Sequence, residues 1–203
     1  MKKGCCIGCA AVLVLVMLFV GVMFYLLFVD HTQVTTDIAY YQALSGETEG
    51  PNSLPILGEQ IDVFCPYDLP MLTELEPYED LSFRYQARRV AVFESHAYIV
   101  LVRCTDADYP ARREQVLADY ALWDAEDWEK ENYNMEPEFS MDGFEFRCIE
   151  GGSYPHAMLF IGTSDATREI AYIYFFDGDM DCTSDGMEGF IRGETGWNEV
   201  AGK

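Results

Sequence analysis

The chain of 203 residues carries 13 Lys and Arg against 35 Asp and Glu, a formal charge of -22. That length suits one domain of ordinary size, and a composition that is 50% hydrophobic and 14% aromatic supplies a core, which excludes a disordered acidic tail. The charge argues against nucleic acid as a partner, because phosphate binding needs clustered Lys and Arg to displace counterions; anionic lipid surfaces are disfavoured for the same reason.

Residues 7–29 contain no charged side chain, and at about 1.5 Å per residue a helix of that length spans roughly 34 Å. Lys2 and Lys3 precede it and the first acid is Asp30. The positive-inside bias therefore predicts a single-pass transmembrane anchor over residues 1–30, with a cytoplasmic N-terminus and an extracytoplasmic remainder attached to the cell membrane. The run ends Leu26-Leu27-Phe28-Val29 without a small-x-small site, which argues against a cleaved signal peptide. With Lys2 and Lys3 set aside, 11 basic residues face 35 acidic ones from Asp30 onward, so the predicted outer part repels its own copies and concentrates cations. Cys5, Cys6 and Cys9 fall at the predicted cytoplasmic edge, where thiols stay reduced or are acylated.

Thr35-Thr36-Asp37 ahead of Ile38, Tyr41 and Leu44, with Gly46 behind, predicts a short stalk helix. Residues 46–77 hold Pro51, Pro55, Pro66, Pro70 and Pro77 and read as an irregular connector, so residues 31–77 form stalk and connector and 78–203 the domain. Phe83, Tyr85 and Ala87 alternate with Arg84, Gln86 and Arg88, which predicts a strand over 83–94 with a bulge near Arg88-Arg89 and a turn at Ser95-His96. Residues 97–104 are apolar on both faces and predict a buried central strand. Pro110, preceded by Asp106 and Asp108, predicts a helix whose Val116, Leu117, Tyr120 and Ala121 lie across the sheet. The acidic stretch 124–138 predicts no definite element. Phe144, Phe146 and Cys148 alternate with Glu145 and Arg147; after a Gly151-Gly152 turn, strands over 157–162 and 169–176 complete an antiparallel meander. A last short helix over 186–191 returns Met187, Phe190 and Ile191 to the core. The predicted class is α+β: an N-terminal transmembrane helix, then one antiparallel β-sheet domain covered on one side by one main packed helix.

Cys65, Cys104, Cys148 and Cys182 are even in number in a predicted oxidising compartment, and strand order favours Cys65 with Cys104 and Cys148 with Cys182; four buried thiols are the alternative. Asp177, Asp179, Asp181, Asp185 and Glu188 fall at positions 1, 3, 5, 9 and 12 of an EF-hand-like loop, whose hard oxygens suit Ca²⁺. Cys182 stands where that loop wants Gly, so the plainer reading is a capped acidic loop, with Asp185 and Glu188 as a capping box. No other cofactor is expected. His31, His96 and His156 fit no catalytic or metal motif, and HExxH, GxSxG and GxxxxGK are absent, so no catalytic residue is assigned. Trp123, Trp128, Tyr133, Phe139 and Trp197 either close the edge of the core or, ringed by acids, bind a cationic or carbohydrate partner.

Residues 161–179, following Met141-Asp142-Gly143-Phe144, resemble small membrane-anchored extracytoplasmic proteins of uncharacterised function from Gram-positive bacteria. The resemblance implies an envelope location and no activity. The expected function is that of a membrane-anchored acidic binding module for a protein or envelope component, with a Ca²⁺-dependent sensor or hydrolase using the 177–188 loop as the alternative.

Overall fold

A computed structural model of the chain describes residues 3–28, 31–50, 53–56, 59–62, 69–90, 93–124, 136–150, 157–177 and 186–201. Helix α1, Lys3–Phe28, has its side chains described from 11 to 25, and its large apolar groups from Val12 to Tyr25 are exposed. Among the described residues no helix is long and apolar enough to cross a membrane. The predicted transmembrane anchor is corrected accordingly, and the single-pass, extracytoplasmic placement built on it loses its support.

The described residues form nine strands: β1 (His31–Thr35), β2 (Ser53–Ile56), β3 (Glu59–Asp62), β4 (Tyr78–Val90), β5 (Phe93–Cys104), β6 (Glu138–Met141), β7 (Phe144–Glu150), β8 (Ala157–Ser164) and β9 (Glu169–Asp177). Seven form one antiparallel sheet in the order β1-β4-β5-β9-β8-β7-β6, and β2 pairs with β3 apart from it. The period of two along each strand sorts the core into two layers. On one face Phe83 and Tyr85 of β4 pack with Tyr98, Val100 and Val102 of β5 and Tyr172 and Tyr174 of β9. On the other, Ile99 and Leu101 meet Ile173, Phe160 and Phe146.

Both faces are covered. Helices α2 (Ile38–Leu44), α3 (Leu72–Leu75) and α4 (Tyr109–Asp119) lie over the first face through Tyr41, Leu75, Tyr109 and Val116. Asp37 caps α2, its carboxylate accepting from the Ala39 amide at 3.0 Å, as the sequence predicts for a helix start there. Helices α5 (Gly186–Glu194) and α6 (Trp197–Val200) cover the second face through Met187, Ile191, Trp197 and Val200. The predicted one-sided cover is thus also corrected. Its second layer comes from α5, which contains the predicted last helix over 186–191, and from α6, whose four residues are too few for a periodic pattern to stand out.

The β4–β5 hairpin turns between Val90 and Phe93, which face each other, and the register runs unbroken through Arg88 and Ser95. Hence there is no bulge at Arg88-Arg89, and Ser95 and His96 lie inside β5 instead of forming the predicted turn; the register shift is at Tyr78 and Asp80. The change of apolar parity marks the hairpin tip, where Val90 is only partly buried and burial no longer selects one side. Edge strand β6, unpredicted, joins β7 through Asp142-Gly143, whose φ values of 52° and 81° match the tight hairpin turn that Asp-Gly favours. At Gly162 a Cβ would stand 2.5 Å from the Phe146 ring, so β8 leaves that space to the aromatic side chain of its neighbour.

Polar contacts fix the second layer. Arg84, buried on β4, donates from Nε to Glu199 at 3.0 Å and from Nη1 to the Thr195 carbonyl at 3.3 Å. Gly196, at φ 76°, lies against that guanidinium: a Cβ there would come within 2.4 Å of it. Trp197, fully buried, donates from Nε1 to Asp142 at 2.8 Å, and Arg192 donates to the other oxygen of the same carboxylate at 2.7 Å. Arg192, and then the Trp197 indole, hold the Asp142 carboxyl below its ordinary range.

Candidate functional site

Helix α4 starts where Pro110 occupies the first turn, with the Thr105 hydroxyl accepting from the Asp108 amide at 3.2 Å. Its apolar side, led by Val116, faces the sheet. From its flank Arg112 reaches α3, donating from Nη1 to the Glu74 carbonyl at 3.0 Å and from Nη2 to the Glu76 carbonyl at 2.8 Å. Helices α3 and α4 are thereby held apart over the sheet, and a cleft of about 590 Å³ opens between them.

Val116, Leu159 and Tyr172 form the apolar part of the cleft, and Glu74, Arg112, Asp119 and Tyr120 the polar part. Tyr172 is 3% exposed, and burial raises its pKa, so the phenol is neutral across the ordinary pH range. Its hydroxyl makes no hydrogen bond among the described residues. The Tyr120 ring meets it edge-on, with centroids 6.2 Å apart. One Glu74 oxygen accepts from the Met71 amide at 2.8 Å, closing the first turn of α3. Asp119 makes no hydrogen bond or ion pair among the described residues. Two carboxylates, one guanidinium committed to carbonyls and two phenols over an apolar floor offer counter-charge and aromatic surface but no nucleophile with an adjacent base.

A second concavity of about 740 Å³ lies on the outer side of α4. Three of its polar groups already engage one another: the Tyr109 hydroxyl donates to Asp165 at 2.8 Å, and Arg113 Nε stands 3.2 Å from the same oxygen.

The residues singled out by sequence are dispersed. Cys104 is buried on the first face, where burial raises the pKa of its thiol, and Cys148 is buried on the second. Among the described residues there is no disulfide, so the expected bridges are corrected: Cys104 packs as a small apolar side chain within the core. Cys65 and Cys182 lie outside the described residues. Of the proposed calcium ligands, Asp177 ends β9, Asp179, Asp181 and Asp185 lie outside the described residues, and Glu188 is exposed on α5 and paired with Arg192 at 3.0 Å. No group of three or more His, Cys, Asp or Glu suited to a metal occurs among the described residues.

His31 opens β1 with its ring edge-on to Tyr25 at 5.3 Å, and His156 lies outside the described residues. His96 is buried in β5, its Nδ1 3.3 Å from the Tyr85 hydroxyl; burial lowers its pKa to about 4, with Glu94 acting weakly the other way. Trp197 is in the core, Trp123 packs partly buried against the second face, and Phe139 stacks on Phe146 at 5.3 Å. These three aromatics close the core; Trp128 and Tyr133 lie outside the described residues.

The cleft residues Glu74, Arg112, Asp119 and Tyr172 carry no sequence motif, and Tyr120 was legible only as part of a helical apolar stripe. The one local signal is the use of tyrosine, a ring with a polar tip, where leucine would satisfy the core. No protein-family model, curated protein or solved structure matches the chain. Most of the stretch carrying the resemblance to envelope proteins forms the β8–β9 hairpin at the centre of the sheet, where burial on both faces demands its apolar cadence.

Proposed function

We propose that the chain is a non-catalytic acidic binding module that takes a positively charged partner at the cleft between α3 and α4. The observation that carries this is the pairing of a formal charge of -22 with a concave site where Asp119 has no ion-pair partner among the described residues. A surplus of acid attracts cations from all directions, and a cleft with an uncompensated carboxylate and apolar walls converts that attraction into a defined position. His96 and Cys104 are buried and contribute core packing, and neither lines the cleft.

The test is a titration of the chain with a short oligolysine peptide at low and at physiological salt, followed by amide chemical shifts. One site per chain is expected, weakening with salt, with shift changes concentrated in α3, α4 and the neighbouring parts of β8 and β9. Shifts scattered over the acidic surface, or several equivalent sites, reject the reading.

A further inference from the structure

The cleft's chemistry narrows the ligand further. Its formal charges are Glu74, Asp119 and Arg112, so the site is left with one net negative charge. Arg112 is the site's one cation: two of its N–H groups hold the carbonyls of Glu74 and Glu76, and its charge offsets only one of the two carboxylates. Tyr172 also lines the cleft, on a side chain 3% exposed, and its hydroxyl has no hydrogen-bond partner among the described residues. The ring is enclosed while the hydroxyl opens to the cleft, where a ligand's donor can take the place of water. The Tyr120 and Tyr172 rings, edge to face at 6.2 Å, add the electron-rich surfaces that attract an ammonium, and Leu159 supplies an apolar floor.

We propose that the cleft binds a small organic monocation, an ammonium group on an apolar or aromatic body. This rests on the binding-module reading and gives its ligand a chemical class. The ammonium sits between Asp119 and Glu74 and donates to the Tyr172 hydroxyl; the body lies on Leu159 and Val116. A volume of about 590 Å³ is of the size that encloses a small molecule. An anion of the same shape would meet two carboxylates, and a neutral isostere would leave Asp119 unpaired.

The probe is 2-phenylethylamine, titrated into the full-length chain beside 3-phenylpropionate, its anionic counterpart of similar shape. Saturable binding of the amine and none of the acid is expected. Asp119→Asn should weaken the amine about ten-fold or more, the loss typical of a hydrogen bond to a charged group. Tyr172→Phe, which keeps the ring, should weaken it several-fold while leaving the unfolding midpoint of the chain near its starting value. The proposal is overturned if the amine does not saturate, if the acid binds equally well, or if neither variant changes the affinity. Oligolysine binding at one site without amine binding leaves the module reading standing and removes the small-cation ligand; failure of both removes both.

Discussion

His96 gives the most direct check on how the first face is packed. Its imidazole is 5% exposed, stacked between Tyr85 and Phe176 at centroid distances of 6.4 and 6.0 Å, and burial lowers its pKa from 6.5 to about 4. The unfolded chain therefore takes up a proton, as pH falls from about 6.5 to about 4, that the folded chain refuses. Stability from this group is complete above the unfolded value and is lost through that window. The full gap corresponds to about 3 kcal/mol, and by pH 4.5 about 2 kcal/mol of it should be gone. Urea unfolding at pH 7 and pH 4.5, on the natural chain and on His96→Phe, isolates the effect: the offset caused by the substitution is common to both pH values and cancels. The natural chain should lose about 2 kcal/mol more than the variant between the two conditions. Equal losses would mean that His96 is solvated, and the packing described for β4, β5 and β9 would be wrong at that point.

Three further outcomes follow from close approaches. Gly196→Ala should destabilise by more than about 1 kcal/mol, since it places a side chain at positive φ and 2.4 Å from the buried Arg84 guanidinium; a variant as stable as the natural chain in urea contradicts that contact. Gly162→Ala should cost about 1 to 3 kcal/mol by forcing the Phe146 ring aside, read as a lowered thermal midpoint. The Cys104 thiol, 0% exposed and with its pKa raised, should react with an aromatic disulfide reagent only as fast as the chain opens; labelling at the rate of a free thiol in native buffer would place it outside the core.

The central meander was legible because its signal is local: Phe144, Phe146 and Cys148 alternate, and β8 and β9 are short apolar runs joined by a polar loop. Edge strands were not. His31–Thr35 has one aliphatic residue, and its pairing with β4 satisfies backbone groups whatever the side chains are. Asp142-Gly143 did announce a hairpin, yet only the strand on its far side was read. Ser95-His96 misled because polar residues imply a turn by composition, whereas His96 is accommodated by two rings and a hydroxyl contributed by other strands. The cleft was illegible for a related reason. Glu74, Arg112, Asp119 and Tyr172 come from three elements spread over about a hundred residues, and only the packing of α3 and α4 over β9 brings them together.

The dependence of the second face on α5 and α6 has a consequence for biosynthesis. Ile99, Phe146, Phe160 and Ile173 are made well before the segment that shields them, and the guanidinium that secures this segment belongs to residue 84. A nascent chain emerging from the ribosome N-terminus first presents a half-roofed sheet until α5 and α6 are free, so truncation near residue 185 should yield aggregates in place of a smaller folded product.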